Sequence, residues 1–152
     1  MKLDYRNAQK NDLETLITLL SDDDLGRKRE DTSKPINTSY LTAFEHIEQD
    51  PNNELVVIEF QQQAVSMLQL TFIPYLTHTG SWRCIIEGVR IHSDFRGKGI
   101  GEQMFLWAIN RAKQRQCHLV QLTSDKQRPD AIRFYEKLSF IASHEGFKLV
   151  LK

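Results

Sequence analysis

Six residues, Arg96-Gly97-Lys98-Gly99-Ile100-Gly101, constrain this chain more than any others. They stand between a segment of alternating apolar residues and a run with helical spacing. Before them, Ile85, Glu87, Val89 and Ile91 fall on one face of a predicted strand; after them, the spacing predicts a helix from Gly101 to Arg115. Glycines at such a junction let the backbone approach a ligand closely. The first turn of the helix carries N–H groups with no intrahelical partner, and its dipole favours negative charge. Arg96 and Lys98 add formal positive charge beside those amides. The pattern predicts a site for a small phosphorylated ligand. A plain tight turn is the competing reading for Gly97, Gly99 and Gly101, and it suits a lone glycine triplet better than one flanked in this way.

Length and charge set the frame. At 152 residues the chain is about one domain, large enough to bury a core. Twenty basic residues balance twenty acidic ones, so no global field favours nucleic acid or an anionic membrane, and anion recognition has to be local. No apolar run approaches the roughly 20 residues that span a bilayer, and Met1-Lys2-Leu3-Asp4 does not open a secretion signal. Cys84 and Cys117 lie in apolar segments without ligand spacing, and the five histidines are scattered. Buried thiols in a reducing compartment, no metal and a cytoplasmic location are the expectations.

Along the chain, Lys2 to Arg6 reads as a first strand. Asn11 or Asp12 is placed to cap a helix with the stripe Leu13, Leu16, Ile17, Leu19 and Leu20. Ser21-Asp22-Asp23-Asp24 then suits a solvated turn, and Arg27 to Pro35 a mobile loop. Asn37 to Gln49 reads as a helix ended by Asp50-Pro51-Asn52-Asn53. Glu54 to Phe60 and Ala64 to Ile73 form a hairpin around Gln61-Gln62-Gln63, and Trp82 to Ile91 a further long strand. Cys117 to Thr123 is the next strand, Pro129 opens a short helix through Leu138, and Phe140 to Ser143 and Phe147 to Leu151 are predicted as closing strands. The expected fold is α/β (α+β): one domain over residues 1–152, with a mixed, mostly antiparallel central sheet flanked by helices.

The order strand, Arg-Gly-x-Gly-x-Gly, helix, strand, followed by Ala131-Ile132-Arg133-Phe134-Tyr135-Glu136-Lys137-Leu138-Ser139-Phe140, resembles the GNAT superfamily of acetyl-CoA-dependent N-acetyltransferases. Residues 96–101 match that family's pyrophosphate motif, and Phe-Tyr-Glu-Lys-Leu-x-Phe its second hallmark. The resemblance implies that Arg96, Gly97, Lys98, Gly99, Ile100 and Gly101 wrap the coenzyme pyrophosphate. It implies that Val89 and Ile91 pair their backbones with the pantetheine arm, on the side of Glu87, and that Tyr135 lies close to the coenzyme sulfur. It also places segments such as Arg27 to Asp31 beside the acceptor, and late strands such as Phe147 to Leu151 in a candidate homodimer interface. Two departures stand out: Arg128 where many relatives have Asn, and Ser139 where they usually have Gly. The first could alter contacts to the coenzyme arm, and the second bears on a tight backbone turn.

Direct acetyl transfer to an amine requires a proton to leave the nucleophile. Holding a Lys-like ammonium neutral at pH 7 costs about 4.6 kcal/mol, whereas a thiol pKa near ~8.5 makes thiolate a fair leaving group. The base therefore matters more than the acid. Glu87 is the candidate base, acting after burial or through water. It could instead anchor the substrate ammonium, or pair with Arg83 or Arg90. Tyr135 is the candidate proton donor to sulfur, against a packing role for its ring. His144, Glu145, Trp82 and Arg83 are weaker candidates for contact with the acceptor.

The leading expectation is an enzyme acting on a small-molecule amine, without nucleic-acid or membrane partners and without a covalent cysteine intermediate. The alternative is an acyl-CoA-sensing module with no transferase activity. Nucleoside triphosphate and dinucleotide motifs do not fit, because Ile100 follows Gly99 and the glycine spacing is wrong.

Overall fold

The computed structural model describes residues 1–151, with the side chain at position 129 outside the description. Two compact units divide the chain, Met1–Gln121 and Leu122–Lys152.

The first unit runs β1 (Asp4–Asn7), α1 (Leu13–Leu20), α2 (Asp24–Arg29), α3 (Thr38–Gln49), β2 (Asn53–Phe60), β3 (Gln63–Pro74), α4 (Thr77–Gly80), β4 (Trp82–Ile91), α5 (Ile100–Gln114) and β5 (Leu119–Gln121). Its five strands lie in sequence order. The pairs β1–β2, β2–β3 and β3–β4 are antiparallel and β4–β5 is parallel. The antiparallel pair β2–β3 is closed by two residues, Gln61 and Gln62, both left-handed as a tight hairpin requires. The parallel pair needs a long crossover, which α5 supplies. The mixed, mostly antiparallel sheet flanked by helices is thus as expected.

Both faces of the sheet are covered. On one, Val57 and Met67 pack with Leu13, Leu16 and Leu19 of α1 and Phe44 of α3. On the other lies α5, whose Ile100, Met104, Phe105, Ala108 and Ala112 are buried. Truncating a side chain such as Phe105 to Ala would cost about 3–5 kcal/mol. The Ser66 hydroxyl, fully buried beside Met104, donates to the carbonyl of Arg90 at 2.6 Å and so satisfies itself inside the core.

Several expectations need correction. Asp12 precedes α1 but does not cap it. Its carboxylate accepts from Arg6 at 2.7 and 2.8 Å and from the Gln9 amide at 2.7 Å, because a bidentate guanidinium outcompetes a helix amide. The start of the predicted mobile loop is helical, since Asp23 accepts from the Gly26 amide at 2.6 Å and starts α2. β5 is shorter than predicted.

The second unit contains α6 (Pro129–Lys137), with Pro at its first position. The two closing strands do not form: no described residue after Lys137 is in a helix or strand. A strand is defined by its ladder, and this segment has none. Phe147, Leu149, Val150 and Leu151 are 82–95% exposed.

Candidate active site

The register of β3 against β4 decides where the candidate residues point. Met67 faces Arg90 and Gln69 faces Glu87, so Leu68 is opposed by two residues, Gly88 and Val89. This is a β-bulge, and Gly88 takes its left-handed conformation at φ +62° without a Cβ penalty. The extra residue resets the alternation. Glu87 and Arg90 share the face of Met67 and Gln69, whereas Ile91, opposite Ser66, falls on the face of Ile86 and Leu70. The expectation that Glu87, Val89 and Ile91 share one face is therefore corrected, by one inserted residue.

β5 pairs only with Arg83–Ile85 of β4. From Ile86 to Ile91 the β5 side of the strand has no ladder partner, the arrangement in which an extended ligand can add as a strand. Two carbonyls there are already engaged: Arg90 Nη1 donates to Val89 at 2.7 Å and Arg96 Nε donates to Ile91 at 3.0 Å.

Glu87 is exposed, and no described residue forms an ion pair with it. The proposed partners are occupied elsewhere. Arg90 Nε lies 3.5 Å from Asp23, and the Arg83 guanidinium stacks over the Tyr75 ring at 4.1 Å.

The glycine turn has the expected form. Gly97 and Gly99 are left-handed at φ +74° and +81°, and a Cβ at either would meet nothing within 4 Å. Ile100, 1% exposed, anchors the start of α5 in the core. The first amide to bond back into the helix is that of Gln103, to Gly99 at 3.3 Å, which leaves the preceding amides for an anion. Open space beside the glycines, free amides and Lys98 make this turn fit a coenzyme diphosphate.

Arg96 departs from expectation. Its Nη2 donates to the carbonyl of Asp22 at 2.8 Å and lies 3.5 Å from the Asp22 carboxylate, which also accepts from the Ser93 amide at 3.2 Å. The acidic run is thus no solvated turn. Asp22 fastens the α1–α2 turn to the glycine loop, and Asp23 pairs with Arg90. Beside it, Thr18, Ser21, Asp22, Arg27, Glu30 and Thr32 line a polar hollow.

Sequence reasoning missed Asp22, Asp23 and Gly88. A lone glycine inside a strand pattern is a bulge signal that could have flagged Gly88. The two aspartates act across more than 65 positions of chain and carry no comparable local mark.

Both cysteines are free. Burial pushes the Cys84 thiol up to about 12 and raises that of Cys117, the reverse of what a nucleophile needs. Among the described residues no group of His, Cys, Asp or Glu could hold a metal, and no helix is long and apolar enough to cross a membrane.

In the second unit, the Tyr135 ring makes edge contacts with Phe134 and Phe140 at 5.5 and 6.1 Å. Ser139 keeps the tight turn despite its side chain: it is left-handed at φ +73°, and its amide and that of Phe140 bond back to Glu136 and Tyr135 at 3.0 Å. His144 contacts Ser143 and Glu145 pairs with Lys126.

The Acetyltransferase (GNAT) family matches residues 16–140, and the chain belongs to that family. A transcriptional regulator from Bacillus halodurans C-125 is 57% identical, with a TM-score of 0.95 over 99% of this chain and 100% of that one. A predicted acetyltransferase with acetyl-CoA from Clostridium acetobutylicum is 22% identical, with a TM-score of 0.74 over 98% and 96% of the two chains, and shares the fold. The aminoalkylphosphonate N-acetyltransferase of Salmonella typhimurium is 29% identical over 102 residues, 67% of this chain. The chain covers 66% of that relative's length.

Proposed function

We propose that this chain moves an acetyl group from acetyl-CoA to a primary amine of a small molecule. The observation that carries the reading is the left-handed glycine turn opening α5, on the same strand–loop–helix unit as an unpaired β4 edge and the free carboxylate of Glu87. The turn's amides would hold the diphosphate, and the edge of β4 the pantetheine arm. The thioester supplies the acyl group.

The acceptor arrives as an ammonium, and Glu87, exposed rather than buried, removes its proton through one water. The amine nitrogen bonds to the acetyl carbon and releases its second proton to solvent, the carbon–sulfur bond breaks, and the departing sulfur takes the Tyr135 hydroxyl proton, which solvent restores. Support for Tyr135 is its place in the second family motif. Support for direct transfer is the raised pKa of both thiols.

The name of the Salmonella relative keeps aminoalkylphosphonates among the candidate acceptors. A cytoplasmic location is proposed on the two free, partly or fully buried thiols. Exposure of Phe147, Leu149, Val150 and Leu151 supports a homodimer that covers them. Light scattering on the wild type and on Phe147→Glu tests this, with a dimer that dissociates expected.

The description of the Bacillus halodurans relative as a transcriptional regulator favours a second reading, an acyl-CoA-sensing module without turnover. Release of free CoA thiol in the presence of an amine panel separates the two. Amine-dependent release supports the transferase, and tight acetyl-CoA binding without release supports the sensor.

A further inference from the structure

Two unmatched charges on β4 narrow the acceptor. Of the partly buried arginines in the first unit, Arg6 is met by Asp12 and Glu59, and Arg111 and Arg115 share Glu54. Buried Arg90 is met by Asp23. Arg83 is also partly buried, yet its partners are neutral. They are the Tyr75 ring, Gln121 Oε1 at 3.3 Å and Thr77 Oγ1 at 3.4 Å, and its buried Nε has no acceptor. A guanidinium partly withdrawn from water without a counter-ion carries a desolvation cost, and an arriving anion offsets it through charge-assisted hydrogen bonds.

Glu87 is the complementary case, a carboxylate without a cation. Arg83 faces Ile73, Ile85 faces Thr71 and Glu87 faces Gln69, so Arg83 and Glu87 lie on the same face of β4. Four residues of strand separate their Cα atoms by about 13 Å. The Arg83 head is turned onto Tyr75 and Thr77, and the two charges do not meet. His78 and His118, whose rings lie 6.0 Å apart, stand at the Arg83 end, His78 next to Thr77 and His118 bonded to the Trp82 carbonyl.

We propose that Arg83 anchors an anionic group on the acceptor, which is therefore a zwitterion. Its primary amine lies at Glu87, and a carboxylate, phosphonate or phosphate lies several bonds away at Arg83. Such a molecule supplies each side chain with the opposite charge that the chain withholds. This specificity assignment rests on the acetyl-transfer reading above.

The test compares 3-aminopropylphosphonate, 4-aminobutanoate and the uncharged 4-aminobutanamide as acceptors with saturating acetyl-CoA. In the wild type, kcat/KM for an anionic amine should exceed that for the amide by about 10-fold or more, the usual worth of a hydrogen bond to a charged group. The larger of the two acid values identifies the anion. Arg83→Gln should collapse the preference to within about twofold, and Arg83→Lys should retain part of it. Propylphosphonate, which has the anion and no amine, should inhibit the wild type competitively against the amine. Equal turnover of acid and amide, a preference that survives in Arg83→Gln, or no inhibition by propylphosphonate overturns the assignment alone. Absence of turnover with any amine overturns the transferase reading together with it.

Discussion

The guanidinium of Arg96 holds the main-chain carbonyl of Asp22 at 2.8 Å, joining the coenzyme loop to the turn between α1 and α2. The Asp22 carboxylate adds the Ser93 amide at 3.2 Å, so one acid braces the segment that precedes the glycine turn. The sign of its effect on coenzyme binding is therefore diagnostic. Removing a nearby negative charge should, by Coulomb's law alone, tighten the binding of an anion. Loss of the brace should weaken it. Asp22→Ala is expected to raise the Kd for CoA about threefold, in line with the worth of an exposed ion pair. A lower Kd would show that Arg96 serves the diphosphate better when released.

Glu87→Gln removes the base and keeps the shape. A fall in kcat of about 10²-fold or more is expected, with acetyl-CoA affinity retained. Steady-state kinetics alongside a direct binding measurement check both halves. Unchanged kcat across the pH range would assign Glu87 to some other task.

The Tyr135 assignment predicts a smaller effect. In single turnover, Tyr135→Phe should slow acetyl transfer by about 10-fold, the low end for a general acid, while the ring keeps its contacts with Phe134 and Phe140. An unaltered single-turnover rate would leave the hydroxyl without a chemical role.

The parts of this structure legible in advance were those with strong periodicity. The predicted strand Trp82–Ile91 has those bounds in the structure, and the helix predicted from Asn37 begins one residue later, with Asn37 as its cap. Periodicity failed where geometry overrode it. The bulge at Gly88 moved Ile91 to the opposite face from Glu87, and strict alternation has no means of registering one extra residue. The helix α2 has no apolar stripe and forms through the Asp23 cap. Its Gly26 sits so close to Leu20 that a Cβ would lie 2.0 Å from that carbonyl oxygen. The glycine turn was readable because its conformation is locally encoded. The Asp22–Arg96 contact and the missing counter-ion of Arg83 depend on what the fold brings together, or fails to. The late strands were read from residue type alone, and a strand also needs a neighbour.

Ser139 offers a stability test in the second unit. Its left-handed backbone at φ +73° is strained for a residue with a Cβ and free for glycine. Ser139→Gly should raise unfolding free energy by about 1 kcal/mol, read from urea denaturation of the full chain. A destabilised variant would mean that the serine side chain contributes more than the strain costs.

The central claim is that main-chain amides at the Gly97–Gly101 turn hold the diphosphate of coenzyme A. Isothermal titration of the wild type and of Gly99→Glu with acetyl-CoA tests it most directly. The wild type should bind with a Kd between roughly 1 µM and 1 mM, the span of ordinary enzyme KM values. Gly99→Glu, which places a side chain and a negative charge in the open space beside the turn, should bind about 10-fold more weakly or not at all. No heat from the wild type at millimolar acetyl-CoA, or equal affinity in the two proteins, would contradict the account.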